Sequence, residues 1–333
     1  MRVLGSALRF ARGAGPVSVA SPDATGLPRN AMAKGRVVMR VVADFSATPA
    51  FELRRPLGPA VPLLIDSPHS GRAYPAAFLA QTRLDARAIR RSEDAFVDDL
   101  VAGGHDVGAW VMTANFPRAF LDLNREPLEL DPRMFVGHMP AGANTRSTRV
   151  AGGLGTIPRI VSEREEIYGG PMPIGEALER VDTFHRPYHA LLRQTLEEIR
   201  ARFGAAILID CHSMPSTQRG GAETKADMVL GDRLGDSCDL RLTDLVSALL
   251  RDAGYRVARN KPYAGGFITE HYGQPHRRIH ALQIEISRAL YMDEATIRKT
   301  ARFETLKRDL TALFRNLGEV WPTLVDRDSL AAE

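Results

Sequence analysis

Two apolar runs in this chain end in the same set of polar side chains. Residues 63–71 read LLIDSPHSG and residues 206–216 read AILIDCHSMPS, so each run delivers an aspartate, a histidine and a serine to its own end. Histidines at two such strand ends, His69 and His212, are metal-ligand candidates. A catalytic zinc takes three protein ligands, commonly histidine and carboxylate, and keeps a further position for water. RSEDAFVDDL at 91–100 offers the missing carboxylate as Glu93, Asp94, Asp98 or Asp99. Asp98 and Asp99 read as a solvated helix face. Glu93 and Asp94 open a predicted helix, where the macrodipole also favours acids, and chemistry alone does not choose between them.

A second group follows from ALQIEIS, residues 281–287. Strand alternation puts Leu282, Ile284 and Ile286 on one face and Gln283, Glu285 and Ser287 on the other. A glutamate inside a buried strand is expensive unless it is paired or used. An arginine partner is the bland account of Glu285, and a general base beside a metal the sharper one. NFPRAFLDLNREP, residues 115–127, gathers Arg118, Asp122, Asn124 and Arg125 on a short predicted strand and its exit. Arginine binds carboxylates bidentately, so Arg125 with Asn124 could anchor an acidic substrate, against the alternative of an ordinary salt bridge. GGLGTIPR at 152–159 matches neither phosphate-loop spacing and reads as a flexible loop. Cys211 is expected to point into the core rather than act as a nucleophile.

The elements that must position these groups are legible from periodicity. Strands are expected at 61–67, 107–114, 205–211, 227–231 and 281–287. Helical patterns lie between them. One spans 293–317, with leucines at 306, 310, 313 and 317 and Gly318 as its stop. Another runs from Glu176 to Phe203 and should kink at Pro187. A third, 239–253, ends at Gly254. Strands apolar on both faces and separated by helices mean a largely parallel sheet covered on both sides. Sites in such folds gather beyond the carboxyl ends of the strands. Residues 124–175, rich in Pro and Gly, read as a long excursion over the site.

Bulk properties narrow the function classes. The chain has 333 residues and a pI near 9.2, but its positive charge is concentrated at the start. Residues 1–45 hold seven Lys/Arg against two Asp, a net of +5; the whole chain carries +4, which leaves −1 for residues 46–333. A nucleic-acid role therefore loses its support. Residues 1–45 have the composition of a disordered, transit-like or over-extended segment, with Met32 and Met39 as alternative starts. Residues 46–325 are expected to form a single domain. No apolar run is long enough to span a membrane. Two cysteines make no disulfide framework, which suits a reducing cytoplasm.

Seven stretches occur in order over roughly residues 60–300: SPHSG..YP, ED..VD.L, R.F.DLNR, FHRPYH..L, LIDCHSMPS, GGFITEHYGQP and ALQIEIS. Together they resemble the N-formylglutamate amidohydrolase family, itself similar to zinc carboxypeptidases and aspartoacylases. The resemblance implies a three-layer α/β/α sandwich around a largely parallel mixed sheet, with one zinc or another divalent ion. It implies His69 and His212 as metal ligands. The carboxypeptidase pattern has a glutamate three residues after the first histidine; Arg72 stands there, so the ED motif must supply the third ligand, Asp94 in preference to Glu93. By the same resemblance Glu285 is the general base and Arg118 polarises the scissile carbonyl. Asn124 and Arg125 grip the substrate carboxylate, and His189 and His271 belong to the wall of the substrate site. The implied reaction is zinc-dependent hydrolysis of N-formyl-L-glutamate to formate and L-glutamate, a step of histidine degradation, with a small-molecule N-acyl amino acid as substrate and neither nucleic acid nor membrane as a partner. Another N-acyl amino acid or a short peptide would use the same parts. A non-catalytic binder of an acidic metabolite would have no need of Glu285.

Overall fold

The computed structural model describes residues 36–39, 48–162, 165–217 and 226–330. Of the segment 1–45, only Arg36–Met39 falls among them, as a short strand; the rest lies outside the described residues.

Eight strands form one mixed sheet: β1 Arg36–Met39, β2 Phe51–Arg54, β3 Leu63–Ser67, β4 Trp110–Ala114, β5 Ala206–Met214, β6 Met228–Gly231, β7 Val257–Arg259 and β8 Ile279–Ser287. Their spatial order is β1-β2-β4-β3-β5-β8-β6-β7. The centre, β4-β3-β5-β8, is parallel. β2 is antiparallel to β4 and β6 to β8, so the sheet is mixed towards both edges. Every residue of β3, β4, β5 and β8 is buried, as expected of strands covered on both faces.

The covering helices are α1 Val97–Val101, α2 Ile174–Arg180, α3 Arg186–Phe203, α4 Leu240–Asp252, α5 Phe267–Tyr272 and α6 Phe303–Leu330. Two apolar clusters give the three layers. Leu64, Trp110, Met112 and Leu208 pack with Tyr188, Leu192, Leu196 and Ile199 of α3 on one face. Leu63, Ile65, Ile207, Ile209 and Ile284 pack with Leu242 and Val246 of α4 and with Leu310, Leu313 and Leu317 of α6 on the other. Alternation then puts Asp66, Asp210, His212, Gln283 and Glu285 on the α3 face. No helix among the described residues is long and apolar enough to cross a membrane.

Local chemistry overrides five expectations. The helix expected from residue 293 begins at Phe303. Asp293 instead accepts a hydrogen bond from the Thr296 amide at 2.7 Å, closing a turn between the paired segments Met292–Asp293 and Arg298–Lys299. Nor does that helix stop at Gly318, where a Cβ would lie 2.8 Å from a Val61 methyl; the glycine lets α6 press on the sheet, and the helix continues to Leu330. Glu93 and Asp94 do not open a helix. They join a 3-10 turn at Ala88–Ser92 to α1, whose preceding residue, Phe96, is left-handed at φ 66°. The kink expected at Pro187 is a π turn, Val181–His185, which links α2 and α3. Residues 115–127 form turns after β4 rather than a strand.

Candidate metal centre

The parallel strands β3 and β5 carry His69 and His212 to the same end of the sheet, His69 two residues beyond β3 and His212 within β5. Asp94 arrives on the segment before α1, which is tied to the first ligand loop by a hydrogen bond from the Asp94 amide to the His69 carbonyl at 3.0 Å. The three side chains are 1%, 2% and 3% exposed for His69, Asp94 and His212, so the group is sealed from bulk water. One ligand atom from each lies within 4.8 Å of the others. His212 Nδ1 is 2.9 Å and His69 Nδ1 3.5 Å from the same Asp94 oxygen, Oδ2.

The two other ring nitrogens are held by further carboxylates. His69 Nε2 lies 2.8 Å from Asp122 Oδ1, and His212 Nε2 lies 2.8 Å from Asp210 Oδ1. The carboxylate behind each imidazole orients the ring with Nδ1 toward the Asp94 oxygen, and Asn124 Nδ2 also lies 3.1 Å from His212 Nε2. The buried Nδ1 of His69 has no hydrogen-bond partner among the described residues. That orphaned acceptor, with two imidazoles and a carboxylate converging, is a donor set suited to zinc. Asp94 is itself oriented from behind. Its Oδ1 accepts from Ser213 Oγ at 3.0 Å, and Ser213 Oγ accepts from Arg288 Nε at 3.0 Å. Burial would raise the Asp94 pKa, but the neighbouring His212 and His69 imidazoles hold it well below the usual carboxylate range. Glu93 turns away to Arg90, 2.9 Å off, and to the Tyr74 hydroxyl.

Glu285 sits on β8 directly opposite His212 of β5. Its Oε1 accepts from Gln283 Nε2 at 2.8 Å. Burial, with help from nearby Asp94, pushes its pKa up to about 7, although His212 and Arg118 pull the other way. A carboxyl group titrating near neutrality can both accept and return a proton. Arg118 donates to Asp122 Oδ2 at 2.9 Å. Burial opposes its charge, yet Asp122, Asp94 and Glu285 together raise its pKa.

The substrate-side expectations divide. Arg125 is buried and donates through Nε to the Leu154 carbonyl and through Nη1 to the Asn124 carbonyl. Its Nη2 stands 3.6 Å from Asp122 and makes no hydrogen bond among the described residues. Burial lowers its pKa to about 10, and the like charges of Arg118 and Arg149 add to that, although Asp122 opposes it. Asn124 is committed elsewhere. Its Oδ1 accepts from the Ile268 amide at 2.7 Å at the start of α5, and its Nδ2 lies 3.4 Å from Asp210. His271 is not part of the group: it is exposed on α5, stacked on Phe267 at 5.0 Å and 3.3 Å from Arg193. An i, i+5 helical neighbour of Gly266 can face solvent even when its motif borders the site. His189 is buried and donates to the Leu123 carbonyl, behind the Asn124 segment.

Sequence reasoning gave no role to Asp122, Asp210, Ser213 or Arg288. For Asp210 a signal existed, since it stands two residues before His212 and therefore on the same strand face. The matching aspartate of β3, Asp66, pairs in register with Asp210 and hydrogen-bonds the Tyr188 hydroxyl. Burial and the neighbouring Asp210 raise its pKa well above the usual range. Cys211 points into the core, as expected, and both cysteines are free and buried. The 590 Å³ cavity lined by Arg83, Arg159, Glu165 and Glu166 shares no residue with the centre.

A mixed sheet with helices on both faces carries this candidate metal centre at its strand ends, and the relatives place the protein among α/β enzymes that hydrolyse amides. The chain belongs to the N-formylglutamate amidohydrolase family: a profile of that family, described as N-formylglutamate amidohydrolase, matches residues 61–292. It is 34% identical to N-formylglutamate deformylase of Pseudomonas putida over 238 residues, 70% of this chain and 83% of that protein. The crystal structure of N-formylglutamate amidohydrolase from Ralstonia eutropha JMP134 superposes with a TM-score of 0.77 at 39% identity, covering 81% of this chain and 97% of that one. A gene product of Agrobacterium tumefaciens shares the fold at a TM-score of 0.59 and 18% identity, over 81% of this chain and 96% of that one.

Proposed function

We propose that this protein is a zinc-dependent amidohydrolase that converts N-formyl-L-glutamate to formate and L-glutamate. The observation that carries the reading is the buried His69–Asp94–His212 group with Glu285 on the adjoining strand. His69 and His212 through Nδ1, and Asp94 through Oδ2, would hold the metal, which would supply Lewis-acid polarisation of the amide and an acidified water. Asp122 and Asp210, each 2.8 Å from an Nε2, hold the two imidazoles in direction.

Glu285, with its pKa near 7, takes the proton of the attacking water and returns it to the departing amine nitrogen. Arg118 brings a positive charge to the carbonyl oxygen as that oxygen becomes anionic, an interaction commonly worth a few kcal/mol in the transition state. Arg125 offers its free Nη2 donors to a substrate carboxylate, so that the amide is held in place for attack. Free buried thiols suit a reducing cytoplasm. Support for the substrate comes from the names of the Pseudomonas putida and Ralstonia eutropha relatives.

The test is release of primary amine from N-formyl-L-glutamate by the zinc-loaded protein, with N-acetyl-L-glutamate and N-formyl-L-alanine alongside. Preference for the formylated acidic substrate is expected. Turnover of a different N-acyl amino acid alone would keep the reaction class and remove the substrate.

A further inference from the structure

The three residues Leu123, Asn124 and Arg125 belong to no helix or sheet, yet none of their backbone carbonyls is left without a donor. Asn124 O accepts from Arg125 Nη1 at 2.6 Å. The flanking two are taken by histidines: Leu123 O by His189 Nε2 and Arg125 O by His185 Nε2, each at 2.9 Å. A carbonyl only accepts, so both imidazoles must carry their proton on Nε2. On the other side of the His189 ring the Tyr272 hydroxyl lies 2.9 Å from Nδ1 and donates to the His189 carbonyl at 2.9 Å.

The two rings pack at a centroid distance of 4.3 Å, tilted by 33°, and are 2% and 6% exposed for His185 and His189. His185 closes the π turn at Val181–His185 and His189 follows four residues later, one turn into α3. Pro187 between them lacks an amide proton, and the π turn is where the helix accommodates it. Burial keeps both rings uncharged at neutral pH: it lowers the His185 pKa to about 4 and that of His189 well below the usual range. Neutral imidazoles of fixed tautomer, with no metal-binding partner near them, are suited to holding backbone rather than to transferring protons.

We propose that His185 and His189 are positioning residues: a two-point clamp on the carbonyls either side of Asn124 that fixes the direction of the Arg125 guanidinium toward the substrate carboxylate. The clamp rests on the reading of Arg125 as substrate anchor. Because Arg125 O is held directly by His185, loss of that bond lets the residue rotate and spoils recognition without touching the metal ligands or Glu285.

The experiment compares His185→Leu with His185→Gln, whose side-chain amide nitrogen can stand near Nε2 and donate to the same carbonyl. Leucine should raise KM for N-formyl-L-glutamate about tenfold or more, with kcat within about twofold and metal content unchanged; glutamine should bring KM back to within about threefold of wild type. If His185→Leu does not fold, His185→Asn, too short to reach Arg125 O, takes its place. Nitrogen-15 spectra of the wild-type imidazoles provide a readout independent of turnover, and both histidines should show the Nε2–H tautomer. An Nδ1–H form or an imidazolium at pH 7 would overturn the clamp. So would an unchanged KM in the folded variant, or a fall in kcat alone. A wild-type chain with no turnover would instead overturn the substrate reading on which the clamp depends.

Discussion

Asp122 ties four groups of this site together. Its Oδ1 meets His69 Nε2 at 2.8 Å and the Asn124 amide at 2.9 Å, while Oδ2 accepts from Arg118 at 2.9 Å and faces Arg125 at 3.6 Å. Burial opposes its charge, but Arg118 and Arg125 keep its pKa well below the usual carboxylate range. Asp122→Asn preserves shape and removes the charge. An amide can still accept through Oδ1, but its NH2 group would face two guanidinium groups and could not accept from either. Removing the partner of a buried charge typically destabilises by about 3–5 kcal/mol, and Arg118, a quarter exposed, moves the expected loss to the lower end, about 3 kcal/mol. Loss of the carboxylate behind a ligating histidine lowers metal affinity by roughly 10–100-fold. Chelator competition for zinc and urea unfolding measure the two effects separately. A variant that folds with wild-type stability and keeps wild-type zinc affinity would refute the assignment of Asp122 as the support of His69.

Three other perturbations have defined outcomes. Asp94→Asn should lower zinc occupancy while Glu93→Gln leaves it, since Glu93 is bound to Arg90 and Tyr74; the reverse pattern, read by metal analysis, would move the ligand role to Glu93. His280, packed on Trp321 with its pKa lowered to about 4, chiefly by burial, binds protons less readily folded than unfolded. Its neutral form therefore supports the fold fully above pH 6.5, and that stability drains away as pH falls from 6.5 to 4, by at most about 3 kcal/mol. Thermal melts of wild type and His280→Gln across that window should show a shallower pH slope in the variant, and parallel slopes would contradict the argument. Gly266→Ala would place a Cβ 2.3 Å from the Asn124 amide. The buried amide cannot retreat without losing Ile268 and Asp210, so a loss of about 1–3 kcal/mol in denaturant unfolding is expected; a neutral result would mean that the segment before α5 is free to shift.

The sequence made the central strands legible because they are buried on both faces and rich in aliphatic residues, as VPLLIDS and ALQIEIS are. The short outer strands left no such trace. β2 and β7 are four and three residues long and owe their place to neighbours distant in sequence. The sequence places the start of α6 too early because residues 293–302 hold no glycine or proline to stop a helical pattern, whereas Asp293 closes a turn there. At the candidate site, His69, His212 and Glu285 stand out because each lies in a short stretch whose chemistry is costly without a purpose, whereas only the family resemblance favours Asp94 over Glu93. The carboxylates behind the histidines were not, since Asp122 and His69 meet from segments 53 residues apart. Asn124 and His271 show the opposite limit. Their residue types suit substrate binding, but which way a side chain faces depends on the packing of α5, and no spacing in the sequence encodes it.

The most direct measurement is made on two proteins in parallel: zinc content per chain and amine release from N-formyl-L-glutamate, for wild type and Glu285→Gln. The glutamine keeps the hydrogen-bonding shape opposite His212 and removes only the group that titrates near pH 7. One zinc per chain in both proteins is expected, with turnover in the wild type reduced at least about a hundredfold in the variant, the scale of a lost general base. Equal turnover in the two, or a wild type that binds no zinc yet hydrolyses the substrate, would contradict a metal centre served by Glu285.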